Sequence, residues 1–225
     1  MRGSLSEIAG LYAILDFPLR HALAPMQVLD AMLAGGAKVV QLRSKHAPLD
    51  PQLVTRLAGR CQEAACPLII NDELELAERG IPGVAGVHLG QSDLPRLGST
   101  PEQRRTRRAA LARAGLVLGV STHDLAQLGD TLASYEPDYV GFGPVFATAS
   151  KQNPEPTVGL AALTQACHDS NVAVVAIGGI SLATLPSIAR AGAAAFAVIG
   201  ALAAPSPDEI RERARSLVSM FDECR

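Results

Sequence analysis

Eight short apolar runs alternate with amphipathic segments along this chain, at residues 11–15, 38–42, 67–70, 84–89, 116–120, 139–142, 172–177 and 195–199. Several are apolar throughout rather than every second residue, the pattern of strands covered on both faces. The stretches between them read as helices. Residues 25–33 put Met26, Leu29, Met32 and Leu33 on one face, and 51–65 and 160–170 behave alike. Residues 182–191 follow Ser181, a candidate N-cap, and stop at Gly192, a candidate C′ glycine. Residues 207–221 carry Asp208 and Glu209 in the first turn and Arg213 and Arg215 further on, the order a helix dipole favours. Eight such units without a linker predict one α/β domain over residues 1–225, a (β/α)8 TIM barrel with its site at the C-terminal ends of the strands. The rival, a doubly wound open sheet, would carry a glycine fingerprint after strand one, where Leu15-Asp16-Phe17-Pro18 has none.

Composition narrows the class of function. A chain of 225 residues that is 48% hydrophobic can bury a large core. A net charge of −2 argues against nucleic acid or a membrane surface as partner. The longest apolar stretch, 191–204, is too short and glycine-broken to span a bilayer, and the first seven residues hold no signal-peptide core. Cys61, Cys66, Cys167 and Cys224 form no CxxC pair and lack histidines at zinc spacing, so they read as reduced thiols of a cytoplasmic protein. His88, inside an apolar run, reads as a satisfied barrel histidine. The basic run 103–108 reads as a solvated face of the fourth helix.

The strand exits carry the chemistry. Exit two reads Gln41-Leu42-Arg43-Ser44-Lys45, exit three Asn71-Asp72, exit four Gly90-Gln91-Ser92-Asp93 and exit five Ser121-Thr122-His123. Exit six runs from Gly143 to Lys151; exits seven and eight hold Gly178-Gly179-Ile180 and Gly200. Glycines at the last two exits leave backbone N–H groups for a phosphate, helped by a helix starting between Ser181 and Leu185. Arg43, Lys45 and Lys151 supply three cations; Asp72 and Asp93, hard oxygen ligands at adjacent exits, suit Mg²⁺. With one Mg²⁺ the surplus positive charge matches a diphosphate and excludes a neutral ligand. Ser121 and His123 lack an orienting acid other than Asp124, so no nucleophile–base pair stands out. Rich in anion clamps and poor in bases, the rim suits departure of diphosphate and capture of the resulting carbon by a second substrate.

Gln41-x-Arg-x-Lys45, Asn71-Asp72, Gly90-Gln91-x-Asp93, Gly119-Val-Ser121, Gly143-Pro-Val-Phe-x-Thr148-x-Ser-Lys151 and Ile177-Gly-Gly-Ile180 together resemble the thiamine-phosphate synthase family, over residues 11 to about 202. The resemblance implies that 4-amino-2-methyl-5-hydroxymethylpyrimidine diphosphate is joined to a thiazole phosphate, often in its carboxylated form, giving thiamine phosphate and diphosphate. It also implies pyrimidine diphosphate contacts at Gln41, Leu42, Arg43, Ser44, Lys45, Asn71, Ser121 and Lys151, of which Lys45, Ser121 and Lys151 are catalytic. Thiazole phosphate contacts fall on Thr148, Ala149, Ser150, Gly179, Ile199 and Gly200, and Mg²⁺ ligands on Asp72 and Asp93. The chain departs from the family pattern at Ser150, where threonine is common, at Gly200, where serine is common, and at His46, where glycine is usual. The stretch 96–115, assigned to the fourth helix, is longer than in many members.

Three other readings are weighed against this one. A thiazole tautomerase-like relative would lack much of the diphosphate clamp that is present here. A non-catalytic barrel binding a phosphometabolite leaves the charged set unexplained. A Schiff-base enzyme needs a lysine near the C-terminal end of a strand, whereas Lys38 begins its strand.

Overall fold

The computed structural model describes residues 8–19, 21–148 and 156–225. Eight parallel strands close into a barrel in sequence order: β1 (Gly10–Phe17), β2 (Val39–Ser44), β3 (Leu68–Asn71), β4 (Val84–Leu89), β5 (Val117–Thr122), β6 (Tyr139–Phe142), β7 (Ala173–Ile177) and β8 (Ala195–Val198). Each pairs with the next, and β8 returns to β1 through Gly10↔Ala195 to Ala13↔Val198. The helices are α1 (Pro25–Ala34), α2 (Pro51–Glu63), α3 (Leu74–Ala77), α4 (Pro101–Arg113), α5 (Leu125–Tyr135), α6 (Gly159–Asp169), α7 (Leu185–Arg190) and α8 (Pro207–Glu223). All eight strands expected from sequence are present, with ends shifted by no more than two residues, as fraying of element ends allows.

The period-two pleat sorts the strand residues into two cores. Leu11, Ala13, Leu15, Val40, Leu42, Ile70 and Phe196 face the helices. Tyr12, Ile14, Val39, Ile69, Tyr139, Val175 and Ala197 fill the barrel. Caps start several helices where the sequence places a polar residue before proline. Asp50 accepts from the amides of Gln52 and Leu53, and Thr100 and Gln103 form a capping box on α4. α1 buries Val28, Leu29, Ala31 and Met32; Met26 and Leu33, expected on its core face, are only partly covered.

Two local expectations are corrected, and one helix is shorter than the rest. The stretch 96–115 is not one helix: a 3₁₀ segment, Gln91–Leu97, precedes α4, and Gly98 between them has φ +133°. α3 is a single turn, too short to show a periodicity. α7 starts at Leu185, with Thr184 rather than Ser181 at its N-cap position and no side-chain cap. Proline is at ease only in a helix's first turn, and Pro186 holds the start there.

α8 packs on the barrel by seating Phe221 on Phe196 of β8, with ring centroids 4.8 Å apart and both rings fully buried. Phe221→Ala is expected to cost about 3–5 kcal/mol. At this chain length that is a fall of about 10 °C in Tm, measured by thermal unfolding.

Candidate active site

The pleat of β2 turns Gln41 and Arg43 inward, and Lys45 follows them to the mouth; all three line one cavity. Leu42 is fully buried on the helix side, and the Ser44 hydroxyl donates to the Ala47 carbonyl, so neither side chain reaches that cavity. Arg43 is ion-paired to Asp16, which lies beside it across β1 and β2. This third carboxylate changes the expected charge balance: Arg43 arrives at the rim already partnered.

At the end of β3, Asp72 has φ +62°, a left-handed conformation that few non-glycine residues adopt. Its backbone N–H donates to the His88 carbonyl at 2.8 Å. Its carboxylate accepts from the Gly90 amide at 3.0 Å, from Asn71 Nδ2 at 2.7 Å and from Lys45 Nζ. Burial alone would raise this carboxyl. The bonds from Lys45 and Gly90 and the charge of Lys45 outweigh burial and hold it below the usual carboxylate range.

Asp93 does not itself line this cavity, whereas its neighbour Ser92 does. A Cβ built on Gly90 would lie 3.5 Å from Asp93 Oδ2 and 3.6 Å from Asp72 Oδ1, so the two carboxylates converge on the space that glycine leaves free. Arg96 braces them, donating to the Asp72 carbonyl at 2.8 Å with Nε 3.8 Å from Asp93. Two convergent carboxylates fit a hard divalent cation that takes its other ligands from water or substrate oxygens. Among the described residues no group of three or more His, Cys, Asp or Glu is placed to hold a metal.

The cavity floor was not legible as a site. Ser121 Oγ lies 2.9 Å from His88 Nε2, and His88 Nδ1 lies 3.1 Å from the Tyr139 hydroxyl. A serine–histidine pair therefore exists, but with His88 rather than His123. The barrel brings β4 and β5 together across thirty-three residues of sequence, and spacing alone does not reveal that. The Tyr139 hydroxyl continues to Tyr12 at 2.9 Å, and Tyr12 accepts from Gln41 Nε2 at 3.0 Å. His88 is the satisfied barrel histidine expected, yet it also lines the cavity. His123 is oriented by the Gly143 carbonyl, 2.7 Å from Nδ1, while Asp124 instead caps α5. Gln91 Nε2 donates to the Ser121 carbonyl at 2.6 Å and ties exit four to exit five.

A second cavity adjoins the first and is lined by Thr148, Gly179, Ile199 and Gly200 among others. The two share a wall of Ser121, His123, Gly141, Ile177, Ala197 and Ile199. A Cβ at Gly179, where φ is +63°, would lie 2.5 Å from the Ala147 carbonyl, so exit six packs too closely for any side chain there. Among the described residues no acceptor faces the amides of Gly179 and Ile180. The helix expected to start between Ser181 and Leu185 starts at Leu185, and residues 181–184 form a turn between the glycines and α7. Ala149, Ser150 and Lys151 lie outside the described residues.

Features away from the mouth have local explanations. In the basic run, Arg107 pairs with Glu78 at 2.6 Å, Arg108 pairs with Asp138, and Arg104 lies 5.1 Å from the Tyr135 ring centre. All four cysteines are free, and burial pushes the Cys61 thiol up to about 12 and those of Cys66 and Cys167 to about 11, so these three are poor nucleophiles at neutral pH. Among the described residues no strand contains a lysine, and Lys45, one residue past β2, is held by Asp72. No described helix is long and apolar enough to cross a membrane.

A closed eight-stranded parallel barrel with charged and glycine-lined cavities at the C-terminal ends of its strands defines a (β/α)8-barrel enzyme. The thiamine monophosphate synthase family model matches residues 11–202, and the chain belongs to that family, whose members are transferases. It is 38% identical over 213 residues to the thiamine-phosphate synthase of Anaeromyxobacter dehalogenans, covering 94% of this chain and 88% of that one. It is 32% identical over 217 residues to that of Salinibacter ruber, covering 94% and 89%. The solved thiamine phosphate pyrophosphorylase from Pyrococcus furiosus superposes with a TM-score of 0.77 at 25% identity, covering 96% of each chain.

Asp72→Asn tests the electrostatics of exit three. An ionised group whose carboxyl is held low stabilises the fold above its unfolded pKa, near 3.9, and loses that contribution as pH falls through the lower folded value. The variant is expected to lose about 1 kcal/mol at pH 7 in denaturant unfolding. The gap to the parent closes as the pH drops below about 4.

Proposed function

We propose that this chain is a thiamine-phosphate synthase, joining 4-amino-2-methyl-5-hydroxymethylpyrimidine diphosphate to a thiazole phosphate with release of diphosphate. The observation that carries this reading is the pair of adjoining cavities with a common wall at Ser121, His123 and Ile177. One holds cations and carboxylates suited to a diphosphate; the other is lined by backbone and small residues suited to a monophosphate. The retained clamp at Arg43, Lys45, Asn71, Asp72, Asp93 and Lys151 favours this over a tautomerase-like relative.

Gln41, Asn71 and Ser121 position the pyrimidine. Arg43, held in place by Asp16, and Lys45 bind the diphosphate, with Lys151 assigned to the same group on sequence alone. Leu42 and Ser44 contribute through backbone only. Thr148, Ala149, Ser150, Gly179, Ile199 and Gly200 hold the thiazole phosphate, and the Gly179 and Ile180 amides are its donors. Asp72 and Asp93 would hold Mg²⁺, which supplies positive charge beside the leaving diphosphate.

The mouth offers clamps for charge developing on the leaving group, so the reaction is read as dissociative. The C–O bond to diphosphate breaks with its electron pair, leaving a pyrimidine-methyl cation. The thiazole nitrogen then attacks from the second cavity with its own lone pair, and no base is needed for that step. The four free thiols fit a reducing, cytoplasmic setting.

Purified protein with Mg²⁺ and both substrates is expected to form thiamine phosphate and diphosphate; absence of both products overturns the reading. Arg43→Gln is expected to lower kcat/KM for the pyrimidine diphosphate by about 10²-fold or more, leaving the thiazole phosphate KM within about twofold. Asp93→Asn is expected to raise the Mg²⁺ concentration for half-maximal rate; unchanged dependence removes Asp93 from the metal site.

A further inference from the structure

Five side chains form one unbroken hydrogen-bonded chain across the barrel, under the first cavity. Gln41 Nε2 bonds to Tyr12 at 3.0 Å, Tyr12 to Tyr139 at 2.9 Å, Tyr139 to His88 Nδ1 at 3.1 Å, and His88 Nε2 to Ser121 Oγ at 2.9 Å. The interior is shaped to hold it. A Cβ at Gly119 would lie 2.1 Å from the Tyr139 ring, and one at Gly141 would lie 3.3 Å from the His88 ring, so two inward-facing glycines make room for these side chains. Tyr12 and Tyr139 are almost completely buried, and burial pushes both phenols well above their ordinary range, so each keeps its proton and must donate it.

Donor and acceptor rules give the chain a direction. An amide nitrogen only donates, so the Tyr12 oxygen accepts from Gln41. The Tyr12 proton then goes to the Tyr139 oxygen, and the Tyr139 proton goes to His88 Nδ1. A neutral imidazole with an accepting Nδ1 carries its proton on Nε2, which donates to Ser121 Oγ. The Ser121 hydroxyl proton is left for the cavity. At the other end, Gln41 lines the same cavity, and its Oε1 has no partner among the described residues. The cavity is thus offered a donor at Ser121 and an acceptor at Gln41. Turning either group over requires every bond in the chain to reverse.

We infer that Tyr12, Tyr139 and His88 are positioning residues that lock this donor–acceptor pattern and thereby select an aminopyrimidine over its 4-oxo counterpart. The inference rests on the first cavity being the pyrimidine site. A ring nitrogen accepts from Ser121, and an exocyclic amine donates to Gln41. An oxo group in place of the amine faces the Gln41 oxygen, acceptor against acceptor. An isolated glutamine would rotate its amide to suit. Here that rotation would break the bond to Tyr12 and set its buried hydroxyl against the rest of the chain.

Two measurements test this. The first is a long-range ¹H–¹⁵N correlation spectrum of the histidine rings in the ligand-free protein, which needs no activity. His88 is expected as the neutral tautomer protonated on Nε2; the tautomer protonated on Nδ1 reverses the chain and overturns the inference. The second compares kcat/KM for the aminopyrimidine diphosphate and its 4-oxo analogue in the parent protein and in Tyr12→Phe, which removes one hydroxyl without changing ring volume. The parent is expected to discriminate by on the order of 10³-fold or more, as sites built around a substrate N–H do. Tyr12→Phe is expected to narrow that ratio at least about tenfold, with the thiazole phosphate KM within about twofold. A merely structural role would lower both rates together, and an unchanged ratio overturns the inference. If the parent turns over neither pyrimidine diphosphate, the functional reading fails and the tautomer alone decides the chain's direction.

Discussion

Because β2 enters the barrel with Gln41 pointing inward, the pleat sends Arg43 into the same space and Leu42 and Ser44 away from it. The same constraint acts on every strand. It sets Tyr12 and Ile14 inside β1, His88 inside β4, Ser121 inside β5 and Tyr139 inside β6. Closure then joins positions far apart in sequence, since a barrel has no edge at which a strand could slip alone. A shift of one residue in β2 would exchange Gln41 and Arg43 for Leu42 and Ser44, leaving the mouth without its clamp.

Polar groups inside such a barrel must satisfy each other. Here that demand produces two arrangements. Near the mouth it yields ion pairs, Arg43 with Asp16 and Lys45 with Asp72, which restrain these charged side chains before any ligand arrives. Surface pairs contribute little to stability, but at a mouth they reduce the side-chain freedom that binding would otherwise remove. Lower down the demand yields the uncharged chain from Gln41 to Ser121. Charge is thus concentrated where a diphosphate would sit, and directional hydrogen bonding where a ring would sit.

Much of this was legible in the sequence. The eight strands stood out because both their faces are buried, so they read as apolar runs ending in turn residues. The clamp residues stood out because they follow those runs directly. The structural partners did not. Asp16 did not stand out, since nothing in its neighbours announces Arg43 across twenty-seven residues. Tyr12, Tyr139 and His88 looked like core, because their rings are core and only their polar tips are shared. A polar-tipped residue at an inward position on each of several strands was the available signal. The helix expected over 182–191 starts later, at Leu185, for a local reason, the preference of Pro186 for a first turn.

The central claim is that the mouth is divided into two adjoining anion sites, so that two phosphorylated substrates meet at one wall. A crystal structure grown with Mg²⁺, inorganic diphosphate and the thiazole phosphate addresses it directly. The expected result is diphosphate against Arg43, Lys45 and Asp72, with the thiazole phosphate on the Gly179 and Ile180 amides and its ring facing Ser121. Both anions in one cavity, or a thiazole phosphate bound at Arg43 and Lys45, would contradict it.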